Sequence, residues 1–420
     1  MPGSHIFTDK VAPTMMRLLK NKLGILKIFS FDYEREFNTD EPVGDTVRIK
    51  EPWAATVQDG FGWQANSIIR RNRTVAMDQP FSVQFLWDSI EQALEMERTF
   101  EDVEDNIIDP AMAQLSQECE SRAALFAYRN TPNVIGALGV TPTTLDTYNA
   151  AKTRISELGG WVPGTAKRGM FISPQMEETA ITGTARGLFN PTTVINKAFT
   201  DGVIGFYGGF EWMASASLYQ HTSGIFTTVL TGTTVSGAGQ SGSSINLAGT
   251  TGDTLLVGDK ITFALVNAVN RRTRRSTGRL RAFTVTVSVT FAASAATVSI
   301  FPQIVGPGSA YQNVTALPAN AAIVLQWPGT TMVDATATTG VVGLAFTKDA
   351  FACVGAKLPM PKKGTKQIAE QYTDKATGIS ISYIQDFITK ERETINRMDV
   401  LMGFGNMWAE DCAVAIAGLR

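Results

Sequence analysis

From Ala282 to Val333 the chain carries no charged side chain, and from Thr222 to Gly258 it carries one, Asp253, among many Thr, Ser and Gly. Within this block Thr284 to Phe291 alternates with period two, as a half-buried strand requires: Val285, Val287, Val289 and Phe291 on one side, Thr284, Thr286, Ser288 and Thr290 on the other. Thr297 to Phe301 and Ala322 to Trp327 read as further strands. Residues 223–342 are therefore expected to form an all-β domain. Mixed patterns stand before the block and resume after it, so the expected fold class is α+β with an inserted β domain.

The flanks can be read in order. Residues 1–44 read as an arm with one short helix opened by Pro13 and Thr14, and Lys10, Arg17, Lys20, Lys22 and Lys27 make it basic. Thr46 to Lys50 alternates as a strand, and the chain returns as Thr74 to Met77 and Phe81 to Phe85, giving an extended hairpin over 45–87. Its tip bears Trp53, Trp63, Ile68 and Ile69 with too few apolar neighbours to bury them, so it needs another subunit to lie on. Residues 88–134 read as helical, with Asp109 and Pro110 opening a long amphipathic helix through Met112, Leu115, Cys119, Ala123 and Phe126. Between 91 and 109 eight acids, Glu101, Asp102, Glu104 and Asp105 among them, face only Arg98. This run reads as a solvated or intersubunit face. Over 135–222, Thr141-Pro142 opens a helix closed by Gly159-Gly160, Gly169 to Ser173 is a short strand, Pro174 opens another helix, and Gly209 to Ser215 is a strand. Val341 to Phe351 and Ile379 to Tyr383 read as strands, and Arg397 to Ala417 as strand-rich, in a last segment 343–420.

Several chemistries are disfavoured. The only histidines are His5 and His221, and neither lies near a G-x-S-x-G elbow. Gly237-Ala238-Gly239-Gln240-Ser241-Gly242 matches a dinucleotide fingerprint, but no helical period follows it. Cys119, Cys353 and Cys412 are far apart, form no C-x-x-C pair, and read as small packed hydrophobes. No catalytic residue, metal ligand or cofactor is expected. A net charge of −2 gives no global basic field for nucleic acid. No run of about 18 apolar residues suggests a membrane span, and no signal-peptide order opens the chain. Charged residues make up 18%, below the usual ~25%, as in chains that hide their surface against copies of themselves. The one dense basic cluster is Arg271, Arg272, Arg274, Arg275, Arg279 and Arg281, without the interleaved aromatics of a base-stacking surface. It reads as a subunit contact with an acidic face, with nucleic-acid contact and a plain solvated loop as the other readings.

The order of parts resembles the major capsid proteins of tailed phages with the HK97-type fold. More narrowly it resembles the coat proteins of short-tailed lambdoid Salmonella and Shigella phages, whose axial domain is interrupted by a β-barrel. Gly44-Asp45-Thr46-Val47 with Pro52 resembles the strand entering the family's extended loop. Ile172-Ser173-Pro174 and Gly209-Phe210-Glu211 with Ser217-Leu218 resemble the axial domain. Gly258-Asp259-Lys260-Ile261-Thr262-Phe263 resembles the turn and strand of the inserted domain. Phe351-Ala352-Cys353-Val354-Gly355 with Leu358-Pro359-Met360-Pro361 resembles the return to the axial domain, and Arg397 to Gly403, then Glu410, the last strands.

The resemblance implies an N-terminal arm (1–44), an extended loop (45–87), a peripheral domain with spine helices (88–134), two axial segments (135–222 and 343–420, the second with the peripheral return strands) and the insertion (223–342). It implies hexamers and pentamers closing into an icosahedral virion shell around double-stranded DNA, packaged without sequence specificity. Assembly in the bacterial cytoplasm, with scaffolding, portal and decoration proteins as partners, is implied too. The fourteen residues Trp53, Trp63, Ile68, Ile69, Glu101, Asp102, Glu104, Asp105 and the six clustered arginines are the expected intersubunit contacts. The competing reading is a virion decoration or receptor-binding module carrying a β domain, which has less need of the extended hairpin.

Overall fold

The computed structural model describes residues 4–32, 46–50, 71–88, 107–160, 167–183, 205–225, 233–327, 337–361, 368–374, 377–388, 390 and 393–418. The chain divides into two compact units. One comprises Met1–Ile49, Asn72–Ala123 and Phe351–Asn406, the other Lys50–Arg71, Ala124–Ala350 and Met407–Arg420.

The first unit is built on a six-stranded sheet in the order Thr46–Lys50, Asn72–Asp88, Glu393–Asn406, Ser380–Ile388, Ile368–Thr373, with Phe351–Ala356 also on Glu393–Asn406. Asn72–Asp88 runs antiparallel to Glu393–Asn406 from Val75 opposite Gly405 to Asp88 opposite Glu393. The sequence reads the returning limb of the hairpin in two pieces, Thr74–Met77 and Phe81–Phe85. They are one, because the bulge between Ala76 and Gln79 lets the ladder resume through Pro80, which has no N–H to give. Phe81, Val400 and Ile381 are buried in register across the sheet, while Ser82 and Gln84 are exposed.

The arm's helix runs Ser4–Lys22, straight through Pro13, where the sequence suggested it would begin. Burial of Met15, Met16 and Leu19 outweighs the one helical hydrogen bond that proline forfeits. The 3₁₀ turn Ile25–Ile28 that follows is capped from the helix Asp109–Arg129. The buried Glu120 carboxylate accepts the N–H groups of Gly24 (2.7 Å), Ile25 (3.0 Å) and Leu26 (3.3 Å). Burial pushes this carboxyl above its ordinary range and the three N–H groups pull it back. Lys22 pairs with Asp109 and Lys20 with Asp374, each at 3.0 Å. Thus the basic arm spends two of its charges inside its own chain. Cys119, Cys353 and Cys412 are all free and buried, as small packed side chains should be.

The second unit has two sheets that matter here. A seven-stranded mixed sheet runs Val134–Ile135, Ala413–Ala417, Thr339–Thr347, Arg168–Ile172, Phe210–Ala214, Phe206–Tyr207, with Gln220–Thr222 on Thr339–Thr347. The helices Leu145–Leu158 and Pro174–Gly183 bury Tyr148, Ile155, Met176 and Ala180 in one core with Met170, Trp212, Val414 and Ile416 from this sheet. The first helix starts at Leu145 after Thr144, three residues later than Thr141-Pro142 suggested. A four-residue helix, Ala409–Cys412, interrupts the strand-rich end.

Among the described residues the insertion is all β, so the fold class is the expected α+β with an inserted β domain. Six of its strands among the described residues form one sheet in the order Val324–Trp327, Lys260–Val269, Ser276–Val285, Ala295–Ile304, Gly242–Ala248, Thr234–Val235. The two ends of that order meet: Thr234 bridges Ile323, Val235 N–H donates to Ala322 O (2.9 Å), and Val324 N–H donates to Thr233 O (3.1 Å). The sheet closes on itself and buries its edges. Phe263, Phe283, Val285, Phe291, Val298 and Val324 fill the interior. The alternation over Thr284–Phe291 does not make one strand. The ladder stops at Val285, Val287 is 55% exposed, and Val289–Thr290 pairs instead with Thr254–Leu255. Val285 is captured at both ends by the turn before the hairpin: Gly258 N–H donates to its carbonyl (2.9 Å) and its own N–H donates to Asp259 O (2.8 Å).

Candidate functional site: the arginine hairpin and the root of the β insertion

Apart from Asp253 and Asp334, the charged residues of the insertion lie on or beside one hairpin, Lys260–Val269 with Ser276–Val285. At the tip, Asn270 Oδ1 accepts the N–H groups of Arg272 (2.9 Å) and Thr273 (3.0 Å), and Arg274 N–H donates to Asn270 O (2.8 Å). This tip sits on the C-terminal end of the helix Leu145–Leu158. Asn270 Nδ2 donates to Glu157 O (2.7 Å) and Arg271 N–H to Leu158 O (3.4 Å), satisfying carbonyls that a helix end leaves unpaired. Gly159 ends that helix in the left-handed region (φ 87°), and a Cβ there would come within 3.1 Å of Asn270 Oδ1. The negative pole of the helix favours cations beside it, which gives the arginine cluster a physical reason.

Four of the six arginines have partners within the unit. Arg279 Nε lies 3.1 Å from Glu157 Oε2. Arg271 stacks 4.1 Å over the Trp408 ring and lies 3.8 Å from Asp411. Arg274 Nη2 donates to Ala310 O (3.1 Å). Arg281, expected as an intersubunit contact, is only 1% exposed. Its Nη1 lies 3.5 Å from Asp411 Oδ1 and its Nη2 donates to Glu410 O (3.3 Å). It is turned inward because a hairpin flank this close to the Ala409–Cys412 helix has an acidic partner in its own chain. Only Arg272 and Arg275 are exposed and, among the described residues, form no ion pair. Arg154, on the helix beneath, donates to Leu280 O (2.9 Å), and burial, with Arg279 and Arg281 nearby, lowers it to about 10.

Burial raises Asp411 to about 6, with Glu410 adding to it and Arg281 and Arg271 opposing. The folded state therefore holds this proton more tightly than the unfolded chain. Its contribution is fully present below the unfolded value near 4 and is lost as pH rises through about 6. Asp411→Asn is expected to remove up to ~1 bound proton's worth of pH dependence between pH 4 and 6, read from urea midpoints of the unassembled subunit. An unchanged slope would contradict the assignment.

At the root of the hairpin the polar groups are deeper. Lys260 is fully buried. Its Nζ donates to Tyr128 O (2.9 Å) and Thr284 Oγ1 (3.0 Å) and lies 4.2 Å from the Tyr128 ring centre. Burial depresses this amine well below its ordinary range, with Asp259 opposing. Tyr128 Oη donates to Gly258 O (2.9 Å), and Thr284 Oγ1 donates to Thr131 O (3.3 Å). Asp259 is also fully buried. It accepts from Leu256 N–H (2.7 Å) and Gly224 N–H (3.0 Å), and meets His221 Nε2 at 2.8 Å. Gly258 has φ +100°, and a Cβ there would lie 2.9 Å from the Tyr128 ring. The motif Gly258-Asp259-Lys260 marks a turn in the sequence but not this polar root, for which there is a signal: between Asp253 and Arg271 the only charges are the adjacent Asp259 and Lys260, set in an apolar run. Isolated charges in such a run are buried and paired.

Trp53, Trp63, Ile68, Ile69, Glu101, Asp102, Glu104 and Asp105 lie outside the described residues.

A family model described as "P22 coat protein - gene protein 5" matches residues 32–418. No curated protein matches the chain. Among solved structures, one from Mycobacterium phage Che8 is similar at 12% identity, covering 94% of this chain and 90% of that one, with a TM-score of 0.46. The capsid of Cyanophage P-SCSP1u is similar at 11% identity over 90% and 84%, TM-score 0.41. The CUS-3 coat protein I-domain is 26% identical over 24% of this chain and 97% of that one, TM-score 0.19. The protein is a structural subunit of a phage shell, a major capsid protein. It belongs to the P22 coat protein family.

Proposed function

We propose that this coat protein forms hexamers and pentamers that close into an icosahedral shell around the double-stranded DNA of a tailed phage, in the manner of the short-tailed lambdoid phages of Salmonella and Shigella. The observation that carries this reading is the family match over residues 32–418, joined to a closed β insertion rooted by buried charges. Assembly would take place in the bacterial cytoplasm with a scaffolding protein, a portal and a decoration protein as partners. The role is structural and not catalytic. The domain bounds follow the sequence: arm 1–44, extended loop 45–87, spine helices 88–134, axial segments 135–222 and 343–420, insertion 223–342.

The contacts between copies divide by chemistry. Trp53, Trp63, Ile68 and Ile69 lie apolar on a neighbour, and Glu101, Asp102, Glu104 and Asp105 offer carboxylates. Of the arginine cluster, Arg272 and Arg275 are the two that reach outward, because Arg271, Arg274, Arg279 and Arg281 are engaged within the chain. Negative-stain electron microscopy of the chain, expressed with and without its neighbouring reading frames, tests the reading. Closed shells, tubes or spirals support it, and a small monodisperse particle under both conditions overturns it. R272A/R275A is expected to leave the subunit's unfolding within ~0.5 kcal/mol of wild type, since exposed charges contribute little. The same variant is expected to lower shell yield and weaken the dependence of assembly on salt. Unchanged yield and salt dependence would remove these two arginines from the interface.

A further inference from the structure

Arg71 stands at the end of the 51–70 segment, and its guanidinium carbon lies 3.9 Å from the centre of the Tyr311 ring. With its amide oriented toward that guanidinium, Gln303 Oε1 accepts from both Nη1 and Nη2 at 3.2 Å. Planar stacking combined with a two-pronged hydrogen bond is a geometry that arginine makes and lysine does not. The platform beneath is itself held. Tyr311 is only 7% exposed and its N–H donates to Ser309 Oγ (3.3 Å). Arg274 Nη2 holds the preceding carbonyl, Ala310 O, at 3.1 Å. Arg271, 6.0 Å from the Tyr311 ring centre, is stacked on Trp408. A line of contacts therefore joins Trp408, Arg271, Tyr311 and Arg71.

We infer that Tyr311 and Gln303 of the β insertion form a dock for Arg71, and that the arginine hairpin stiffens this dock so as to fix the root of the segment that reaches a neighbouring copy. The insertion then acts on assembly through its own chain, by setting where residues 51–70 depart, rather than only by touching other copies. Arg271 and Arg274 are positioning residues in this scheme. The clamp stands on geometry alone, whereas its consequence for assembly rests on the proposed intersubunit role of residues 51–70.

Hydrogen exchange on the unassembled full-length subunit tests the clamp. R71A and Y311A are each expected to speed amide exchange at residues 71–73 about tenfold, in line with loss of one well-formed cation–π contact. Y311F, which keeps the ring, should exchange as wild type does, and R71A/Y311A should be no faster than either single variant. Wild-type exchange in R71A, or Y311F behaving as Y311A does, would overturn the inference. Shell formation by the wild type is scored separately by microscopy. A clamp seen in exchange beside a wild type that makes no shells leaves the clamp standing and removes the assembly reading. Shells together with an absent clamp do the reverse.

Discussion

Asp259→Ala is expected to destabilise the unit carrying the insertion by about 3–5 kcal/mol, a large share of the ~5–15 kcal/mol that holds a domain together. Both oxygens of this carboxylate are employed, on the N–H groups of Gly224 and Leu256 and on His221 Nε2, and the residue has no exposed surface. Alanine would strand two backbone donors and an imidazole N–H where water does not reach, each costing about 1–3 kcal/mol. It would also remove the negative charge that offsets burial of the Lys260 amine. Asp259→Asn keeps one acceptor and the side-chain shape, so a smaller loss is expected. Urea unfolding of the unassembled subunit, followed by circular dichroism, gives the comparison. An alanine midpoint within error of wild type would show that water or a rearranged backbone satisfies these groups.

The β character of the insertion and the polar root at Asp259 differ in how much of the chain each depends on. The β character of the insertion is local: threonine and valine alternate, charges vanish, and no helical period competes. The strand–proline–helix step at Ile172-Ser173-Pro174 was legible for the same reason, since Ser173 Oγ accepts Met176 N–H (3.2 Å) as a capping residue three positions away. The root of the hairpin is not local. Tyr128, His221, Asp259, Lys260 and Thr284 come from four separate stretches of chain, and only closure of the sheet brings them together. Likewise the period-two pattern over Thr284–Phe291 is real, but a turn hydrogen-bonded to Val285 ends the ladder there, and no residue inside the pattern announces it. The six arginines were legible as a cluster that needs negative partners. That three of them meet carboxylates within the chain, and a fourth a carbonyl, depends on Asp411, Glu157 and Ala310, placed near them by the fold alone.

Arg281 and Asp411 offer the sharper test of what a buried charge pair contributes in such a protein. The pair is imperfectly satisfied: Nη1 is 3.5 Å from the carboxylate, and Nε has no hydrogen-bond partner among the described residues. Arg281→Met should therefore cost about 2 kcal/mol at pH 7.5, because Asp411, near 6 in the wild type, must then take up a proton against that pH with only Arg271, 3.8 Å away, to oppose its charge. Arg281→Met with Asp411→Leu should recover most of that loss and finish within about 1.5 kcal/mol of wild type, since two apolar side chains need no partners. The coupling between the two sites in a double-mutant cycle is then several times that of an exposed pair such as Arg122–Glu118. The pH dependence separates this from a packing defect. Asp411 already sits near 6, and without Arg281 its carboxyl rises further, so the single variant should be much closer to wild type at pH 5, where Asp411 is protonated, than at pH 7.5. A cost that is equal at both pH values would mean that Arg281 acts there by filling space.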